Sequence, residues 1–294
     1  MSNYITPLRY PGGKQRLSPF IAELLVENKA VGGHYVEPYA GGAGVAVELL
    51  SKNIVSYIHL NDSSYPIYAL WHSILTCPEE FCRLILGATL TIEEWKKRKE
   101  IVSHPTEYDE LEVGYSTLYL NRCNRSGVLS GGVIGGLSQS GEWKMDARFS
   151  RNELIRRIEI IASMRNSISI RNWDAEQFIM EYVPDLPQNT FVYCDPPYFT
   201  KSNRLYLNHY KQKDHIQIAK TIQERLPRKW VVSYDNSAEI LSYYRDRKKF
   251  IYDLQYNASR VYKGKEVFIF SDNLRIPSSS ALPFIDKSLG ILVR

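Results

Sequence analysis

The sequence predicts an α/β fold: a doubly wound, mostly parallel sheet carrying a mainly helical insertion. Three observations predict it. Tyr35-Val36-Glu37-Pro38-Tyr39 reads as a strand that runs into a glycine turn, Ala40-Gly41-Gly42-Ala43-Gly44, and on into the helical run Val45-Ala46-Val47-Glu48-Leu49-Leu50. Ile54 to Leu60 is a second strand, closed by Asn61-Asp62. Strand, glycine turn, helix, strand and acid make the first half of a doubly wound sheet. Residues 76–165, by contrast, show helical patterns and no strand of the sheet type. The expected organisation is a sheet domain formed by 1–75 and 166–294, with 76–165 inserted between its halves.

The remaining elements follow in order. Within the insertion, Ser150 followed by Glu153 looks like a capping box opening a helix whose apolar stripe is Leu154, Ile155, Ile158 and Ile161. Ser126 to Gly136 is too rich in glycine for a helix and is expected as a surface loop or short hairpin. Later strands are expected over 167–171, 190–194, 230–234, 249–256 and 265–270, with helices near 174–182, 209–226 and 237–246. The final two strands, separated by Asn257 to Gly264, read as an antiparallel edge hairpin.

Composition limits the class. With 294 residues, 44% hydrophobic and 23% charged, the chain has enough apolar side chains for a large core, so disorder, collagen and a disulfide scaffold fit poorly. Its four cysteines include no Cys-x-x-Cys pair and no zinc spacing, so no metal is expected and a reducing compartment is. The start, MSNYITPLRYPGGKQ, lacks the apolar core of a signal peptide, and no stretch approaches the roughly 18 apolar residues of a membrane span. A cytoplasmic protein, monomer or weak dimer, is the expectation. The net charge of +5 is compatible with nucleic acid without requiring it. Its placement says more: residues 121–165 carry 8 basic and 4 acidic side chains, so one face of that segment is expected to meet phosphates, solvated helix faces being the plainer reading.

Two constellations carry chemistry. In the first, the glycine turn lets the backbone bend sharply and approach a ligand. It lacks the Lys-Ser/Thr ending of a phosphate-binding loop, and Glu37 stands where a dinucleotide's pyrophosphate would seek backbone donors. A carboxylate there repels phosphate and favours a cationic or hydroxyl-bearing ligand. Asp62, at the end of the second strand, is placed for ribose hydroxyls. Together they favour S-adenosyl-L-methionine over NAD. Tyr10-Pro11-Gly12-Gly13-Lys14 is a second candidate ligand turn, with Lys14 available to pair with the cofactor's carboxylate. In the second constellation, the strand Thr190-Phe191-Val192-Tyr193-Cys194 ends in Asp195-Pro196-Pro197-Tyr198 at the carboxyl edge of the sheet. An amine conjugated into a base is a weak nucleophile. Acceptors for both of its hydrogens, from Asp195 and the Pro196 carbonyl, would draw its lone pair towards a methyl donor, with Tyr198 stacking on the base.

With these residues in view, the chain resembles the Dam-like DNA adenine-N6 methyltransferases. The resembling pieces are Arg9-Tyr10-Pro11-Gly12-Gly13-Lys14, Val36-Glu37-Pro38-Tyr39-Ala40-Gly41-Gly42, Leu60-Asn61-Asp62, Asp195-Pro196-Pro197-Tyr198, and Arg260 to Phe270 with Glu266. The resemblance implies a Rossmann-like S-adenosylmethionine-dependent methyltransferase sheet with a helical target-recognition insertion. It also implies site-specific methylation of an adenine flipped out of double-stranded DNA. Tyr10 and Lys14 would contact the methionine portion of the cofactor, Tyr39 and its turn would line the pocket, and Asp62 would hold the ribose. Asp174 and Phe178 fall where the family has an acid and an aromatic near the cofactor's adenine. In the recognition region, Val128-Leu129 stands where GATC-reading members carry an aromatic-Asn element, so the resemblance stops short of assigning GATC. Arg122, Asn124 and Arg125 are the expected base-edge readers. Arg148, Arg151, Arg156 and Arg157 are the expected phosphate contacts, about half of such arginines being expected to face solvent, and Lys144 is a further expected DNA contact. Lys201, Arg204 and Lys211 follow the Asp-Pro-Pro-Tyr turn as further contacts to the nucleotide. A non-catalytic DNA-binding module and an RNA amino-methyltransferase are the alternatives.

Overall fold

Strand β4 (Thr190–Cys194) shows why the sheet is buried on both faces. All five residues are buried; Phe191 and Tyr193 enter one apolar layer, Val192 and Cys194 the other, as the two-residue period of a strand dictates. In this computed structural model, which describes residues 5–9, 14–199, 210–257, 261–277 and 291–293, seven further strands join it. They are β1 (His34–Glu37), β2 (Tyr57–Asn61), β3 (Ile168–Arg171), β5 (Lys229–Asp235), β6 (Lys248–Asn257), β7 (Val261–Phe270) and β8 (Ile291–Val293). The order is β3-β2-β1-β4-β5-β7-β6-β8, with β1 to β5 parallel and β7 antiparallel to both β5 and β6. Tyr10, Lys201, Arg204, Tyr206 and Arg260 lie outside the described residues.

The strand order reverses between β1 and β4, which places a crevice outside their carboxyl ends. Glu37 closes β1 and Asp195 follows β4, so the two sequence motifs meet at that switch point.

The expected hairpin forms, but it does not lie at the edge: β7 sits between β5 and β6, and β8 extends β6. The reason is its side chains. Phe268 and Phe270 enter one core layer and Val267 and Ile269 the other, so both faces of β7 require cover.

Helices α1 (Ser18–Glu27), α2 (Gly44–Ser51), α3 (Tyr65–Thr76), α4 (Pro78–Leu86), α5 (Ile92–Ser103), α6 (Glu110–Cys123) and α7 (Arg151–Ser163) lie on one side of the sheet's interior. Most of the core of those between β2 and β3 is shared with the sheet, Leu118, Tyr119, Phe149, Leu154 and Ile158 lying in one apolar interior with Ile58 and Leu60 of β2, and a small cluster of Ala69, Ile101 and Val113 packs α3, α5 and α6 together. The other face is covered by α8 (Ala175–Gln177), which continues as a π-helix over Phe178–Tyr182, by α9 (Gln212–Arg225) and by α10 (Ala238–Tyr243). Ser150 does occupy the N-cap of α7, but its side chain makes no capping bond. Glu153 accepts instead from Arg156 and Arg157, both at 2.8 Å, because charged donors bind a carboxylate more strongly than a lone backbone N–H does.

The glycine-rich stretch after α6 is a short hairpin. Asn124 bridges Val133, the Arg125 N–H donates to the Gly132 carbonyl at 3.0 Å, and the Ile134 N–H to Cys123 at 2.8 Å. Gly127 has φ +76°, and a Cβ there would lie 2.3 Å from the Arg9 carbonyl, so only glycine fits. All four cysteines are free thiols, and among the described residues no helix is long and apolar enough to cross a membrane.

Candidate active site

The turn after β1 is built around two buried acids. Glu37 accepts from the Tyr35 hydroxyl at 3.1 Å and the Ala46 N–H at 3.2 Å, both on Oε1. Asp62 accepts from the Gly41 N–H at 2.8 Å and the Ser64 N–H at 2.9 Å. The turn between them adopts left-handed backbone at Gly41 and Ala43, which lets Gly41 point its N–H at the acid. Burial pushes Glu37 up to about 8, against the pull of the Tyr35 and Ala46 donors and with Asp195 adding to the rise. Burial likewise raises Asp62 to about 6, the two N–H groups opposing it. No basic side chain contributes to either shift, so the pair forms an acidic, anion-rejecting hollow.

Asn61, which precedes Asp62, fixes the hollow's floor. Its amide donates to the carbonyls of Pro38 (3.0 Å) and Trp173 (3.1 Å), and its carbonyl oxygen accepts from the Trp173 N–H at 3.0 Å. One side chain thereby joins the ends of β1, β2 and β3. The Trp71 indole donates to the Gly41 carbonyl at 2.9 Å, and Tyr39 shares a hydroxyl bond of 3.0 Å with Tyr210.

The second half of the site surrounds Asp195. Its Oδ1 accepts from Ser233 Oγ at 2.5 Å and pairs with Lys14 Nζ at 3.0 Å. Ser233, on the neighbouring strand β5, also bonds the Tyr193 hydroxyl at 2.8 Å. Lys14 Nζ reaches on to Glu266 Oε2 at 2.9 Å and lies 5.2 Å from the centre of the Tyr198 ring. Tyr198 donates its hydroxyl to Glu266 Oε1, and Tyr252 donates to Oε2 at 2.6 Å. Among the described residues, neither Asp195 Oδ2 nor the Pro196 carbonyl has a donor. Burial raises Asp195 above the ordinary carboxylate range, Lys14 and Ser233 pulling it back and Glu266 pushing with burial. Burial alone would lower Lys14, but its two carboxylates overcome that and hold the ammonium above its ordinary value.

Several sequence expectations change here. Lys14 spends its ammonium on Asp195, Glu266 and, at 3.4 Å, Ser233, and so stands as the partner of the acid, not as a free cation awaiting the cofactor's carboxylate. Tyr198 is 2% exposed, so its ring is enclosed, not presented for stacking. Asp174 caps α8, accepting from the N–H groups of Glu176 and Gln177, while Phe178 is fully buried against Tyr182, 4.9 Å between ring centres.

The recognition run departs further. Arg122 is buried and donates through Nε to the Pro7 carbonyl at 2.7 Å, and burial lowers it to about 9, with Arg157 and Arg9 adding to the fall. Asn124 is fully buried, accepting from the Trp95 indole at 2.7 Å and donating to the carbonyls of Val128 (2.9 Å) and Leu129 (3.0 Å). As positioned, neither reaches a base edge. With Asn121, which clasps both polar groups of Arg9 at 2.7 and 2.8 Å, they fix the segment that leads towards Lys14. Arg151 donates to the Ala88 carbonyl at 2.6 Å. Arg125, Lys144 and Arg148 are exposed, and Arg148 stands near Arg9, whose own value burial and that neighbour lower. Ser233, Tyr193, Tyr252 and Asn61 were not legible as site residues. Each lies within a strand whose sequence reads as ordinary, and only strand pairing brings them to the motifs.

An acid followed by a proline carbonyl, facing an acidic hollow across the switch point of a mixed sheet, defines the class: a Rossmann-like methyltransferase. Sequence comparison makes the class specific. The model of the D12 class N6 adenine-specific DNA methyltransferases matches residues 10–259. The chain belongs to that family and is an S-adenosylmethionine-dependent enzyme that methylates adenine N6 in DNA. No curated protein matches the sequence. Among solved structures it is similar to TrmN from Thermus thermophilus, at 12% identity and a TM-score of 0.36 over 86% of this chain, which spans about half (48%) of that one. It is also similar to the rRNA methyltransferase aviRa from Streptomyces viridochromogenes, at 12% identity and a TM-score of 0.39, covering 93% of this chain and 92% of that one.

Proposed function

We propose that the chain methylates a specific adenine extruded from duplex DNA, with S-adenosylmethionine seated against the β1 turn and the Asp62 that is bonded to it. The observation that carries this reading is the half-used carboxylate of Asp195. Ser233 and Lys14 occupy Oδ1, which leaves Oδ2 and the Pro196 carbonyl as adjacent acceptors for the two hydrogens of an amine. The hollow fits the cofactor by its donor set. Two buried carboxyl groups, with no basic side chain among the described residues contributing to their shifts, suit a sulfonium and sugar hydroxyls and disfavour phosphate.

When bound, the cofactor supplies an electrophilic methyl carbon on a positively charged sulfur. The protein's share is to bind, orient and manage a proton. Glu37 meets the positive charge, and Asp62 accepts from the ribose. Asp195 Oδ2 and the Pro196 carbonyl pull on the N6 hydrogens, an interaction that strengthens as charge develops on nitrogen. Asp195 Oδ2 is also the acceptor for the proton the amine then releases. Tyr198, its hydroxyl held by Glu266, fixes the far end of the Asp-Pro-Pro-Tyr turn. Flipping costs a few kcal/mol, offset by pocket contacts and by phosphate contacts from Arg125, Lys144 and Arg148 on the helical region over 76–165. Incubation with labelled cofactor and methyl-free genomic DNA, followed by single-molecule sequencing, tests the proposal. N6-methyladenine in one sequence context is the expected product, and label in RNA alone, or none, overturns it.

A further inference from the structure

We propose that Glu266 is a positioning residue for methyl transfer: from inside the sheet it holds Lys14 and Tyr198 in the arrangement that leaves Asp195 one oxygen for the base amine. The inference rests on the reading of Asp195 as the acceptor for that amine.

Glu266 has no solvent exposure, yet its two oxygens serve three polar groups from three separate parts of the chain. Oε1 accepts from the Tyr198 hydroxyl. Oε2 accepts from Lys14 at 2.9 Å and from Tyr252 at 2.6 Å. Strand pairing sets the position: Glu266 lies opposite Asp235 of β5 on one side and Tyr252 of β6 on the other. A lone buried carboxylate in a sheet costs several kcal/mol, and such a group persists where its partners satisfy it. Its partners include an ammonium and two phenols, and Lys14 and Tyr198 among them lead to the catalytic turn. Lys14 joins Glu266 to Asp195, its nitrogen 2.9 Å from one carboxylate and 3.0 Å from the other. Tyr198 lies three residues beyond Asp195, so anchoring its hydroxyl fixes the far end of the Asp-Pro-Pro-Tyr turn. Glu266 touches neither base nor cofactor in this reading; it acts through those two side chains.

One ammonium shared by two carboxylates also gives the arrangement an electrostatic signature. Among the described residues, the groups that act on Asp195 include Lys14, Glu37 of β1, Tyr193 and Cys194 of β4, Ser233 of β5, Tyr252 of β6 and Glu266 of β7. Removing the Glu266 charge takes away a repelling neighbour and leaves Lys14 wholly to Asp195, so both effects make Asp195 easier to ionise. Removing the Lys14 charge does the opposite.

The experiment compares wild type, Glu266→Gln and Lys14→Gln by kcat, by KM for cofactor and DNA, and by NMR titration of the carbon-13-labelled Asp195 carboxyl. Glu266→Gln is expected to lower kcat about 10- to 100-fold, the scale of a misplaced catalytic group, with both KM values within about twofold. Its Asp195 titration moves to lower pH, and that of Lys14→Gln to higher pH. A merely structural glutamate leaves the Asp195 titration of Glu266→Gln where it is in wild type, while Lys14→Gln serves as the control for a shift to higher pH. Unchanged kcat, or Asp195 titrations that shift in the same direction in both variants, overturns the proposal. Tyr252→Phe removes a donor from Oε2 while keeping the charge. If Glu266→Gln does not fold, a fall in kcat of more than about twofold in Tyr252→Phe supports the link, and a wild-type rate overturns it. Wild-type protein that places no methyl on adenine would refute the functional reading instead, and the titrations in the same proteins would still decide the arrangement.

Discussion

Replacing Glu37 by Gln makes a pH-dependent site into a flat one. The amide keeps the shape and an oxygen for the Tyr35 hydroxyl and the Ala46 N–H, but it cannot ionise. In the ligand-free protein Glu37 is raised to about 8, so it carries a proton at neutral pH. A cation that needs the carboxylate must displace that proton. Its affinity therefore falls about tenfold per pH unit below 8, or roughly 25-fold between pH 8.5 and 6.5. Stability runs the other way. Between the unfolded value of 4.5 and the folded value near 8, the native state binds more protons than the unfolded chain, so stability is lost as pH rises through that window. Glu37→Gln removes the loss. The variant should gain on wild type as pH rises from 5.5 to 8, by at most about 3 kcal/mol, since each pH unit inside the window is worth about 1.4 kcal/mol. Calorimetric titration with S-adenosylmethionine at four pH values, and thermal melts of both proteins over the same range, read the two effects. A melting difference that stays constant from pH 5.5 to 8, or an affinity equally pH-dependent in the variant, refutes the assignment of the proton to Glu37.

Three further outcomes follow from the geometry. Asp195→Ala should retain cofactor and DNA binding while kcat falls by about 10³ or more, because the missing interaction strengthens only as charge develops on nitrogen; single-turnover kinetics measure it, and a rate near wild type overturns the role. Arg122→Met should cost about 1–3 kcal/mol of stability by leaving the buried Pro7 carbonyl unpaired, with an unchanged methylation pattern below the melting temperature; sequencing of modified DNA and denaturant unfolding check both, and an altered target sequence would restore Arg122 as a reader. Neutralising Arg125 and Arg148 to Gln should weaken DNA binding across sequences and reduce the slope of log K against log salt by about one for each phosphate no longer neutralised; an unchanged slope in fluorescence titrations removes them from the interface.

Motifs that lie within one strand-turn unit were legible because their chemistry is local. Glu37, the glycine turn, Asp62 and Asp195 each follow a strand that the residue types mark, and the sheet brings their ends together as the doubly wound order requires. The hairpin was legible as antiparallel pairing, but not its place inside the sheet, since the alternation of Val267 and Ile269 with Phe268 and Phe270 reveals two buried faces without naming the neighbours. The recognition run shows what residue types alone leave undecided. Arg122 and Asn124 carry the polar groups that read bases, but the same groups satisfy backbone carbonyls when the chain folds over them. Only exposure distinguishes the two uses, and at Arg122 it is decided by Pro7, more than a hundred positions away, while at Asn124 it is decided by Trp95 and the turn at Val128 and Leu129.

That long-range clasp bears on how the site is assembled. The segment before Lys14 is gripped by Asn121 at Arg9, by Arg122 at Pro7 and by Arg157 at Thr6, all from helices between β2 and β3. Lys14 in turn joins Asp195 to Glu266 across the sheet. The helical region that presents exposed arginines therefore holds residues 6–9, five positions before the lysine that pairs with Asp195. We expect a displacement of the α6 hairpin on DNA to be felt at the Asp195 carboxylate, the proposed acceptor of the base amine. Gly127, whose added Cβ would strike the Arg9 carbonyl at 2.3 Å, is the place to interrupt that coupling. Gly127→Ala should loosen the clasp and lower kcat while leaving cofactor affinity, which depends on Glu37 and Asp62, as it was. If cofactor affinity fell in step with kcat, the two halves of the site would not be separable in this way.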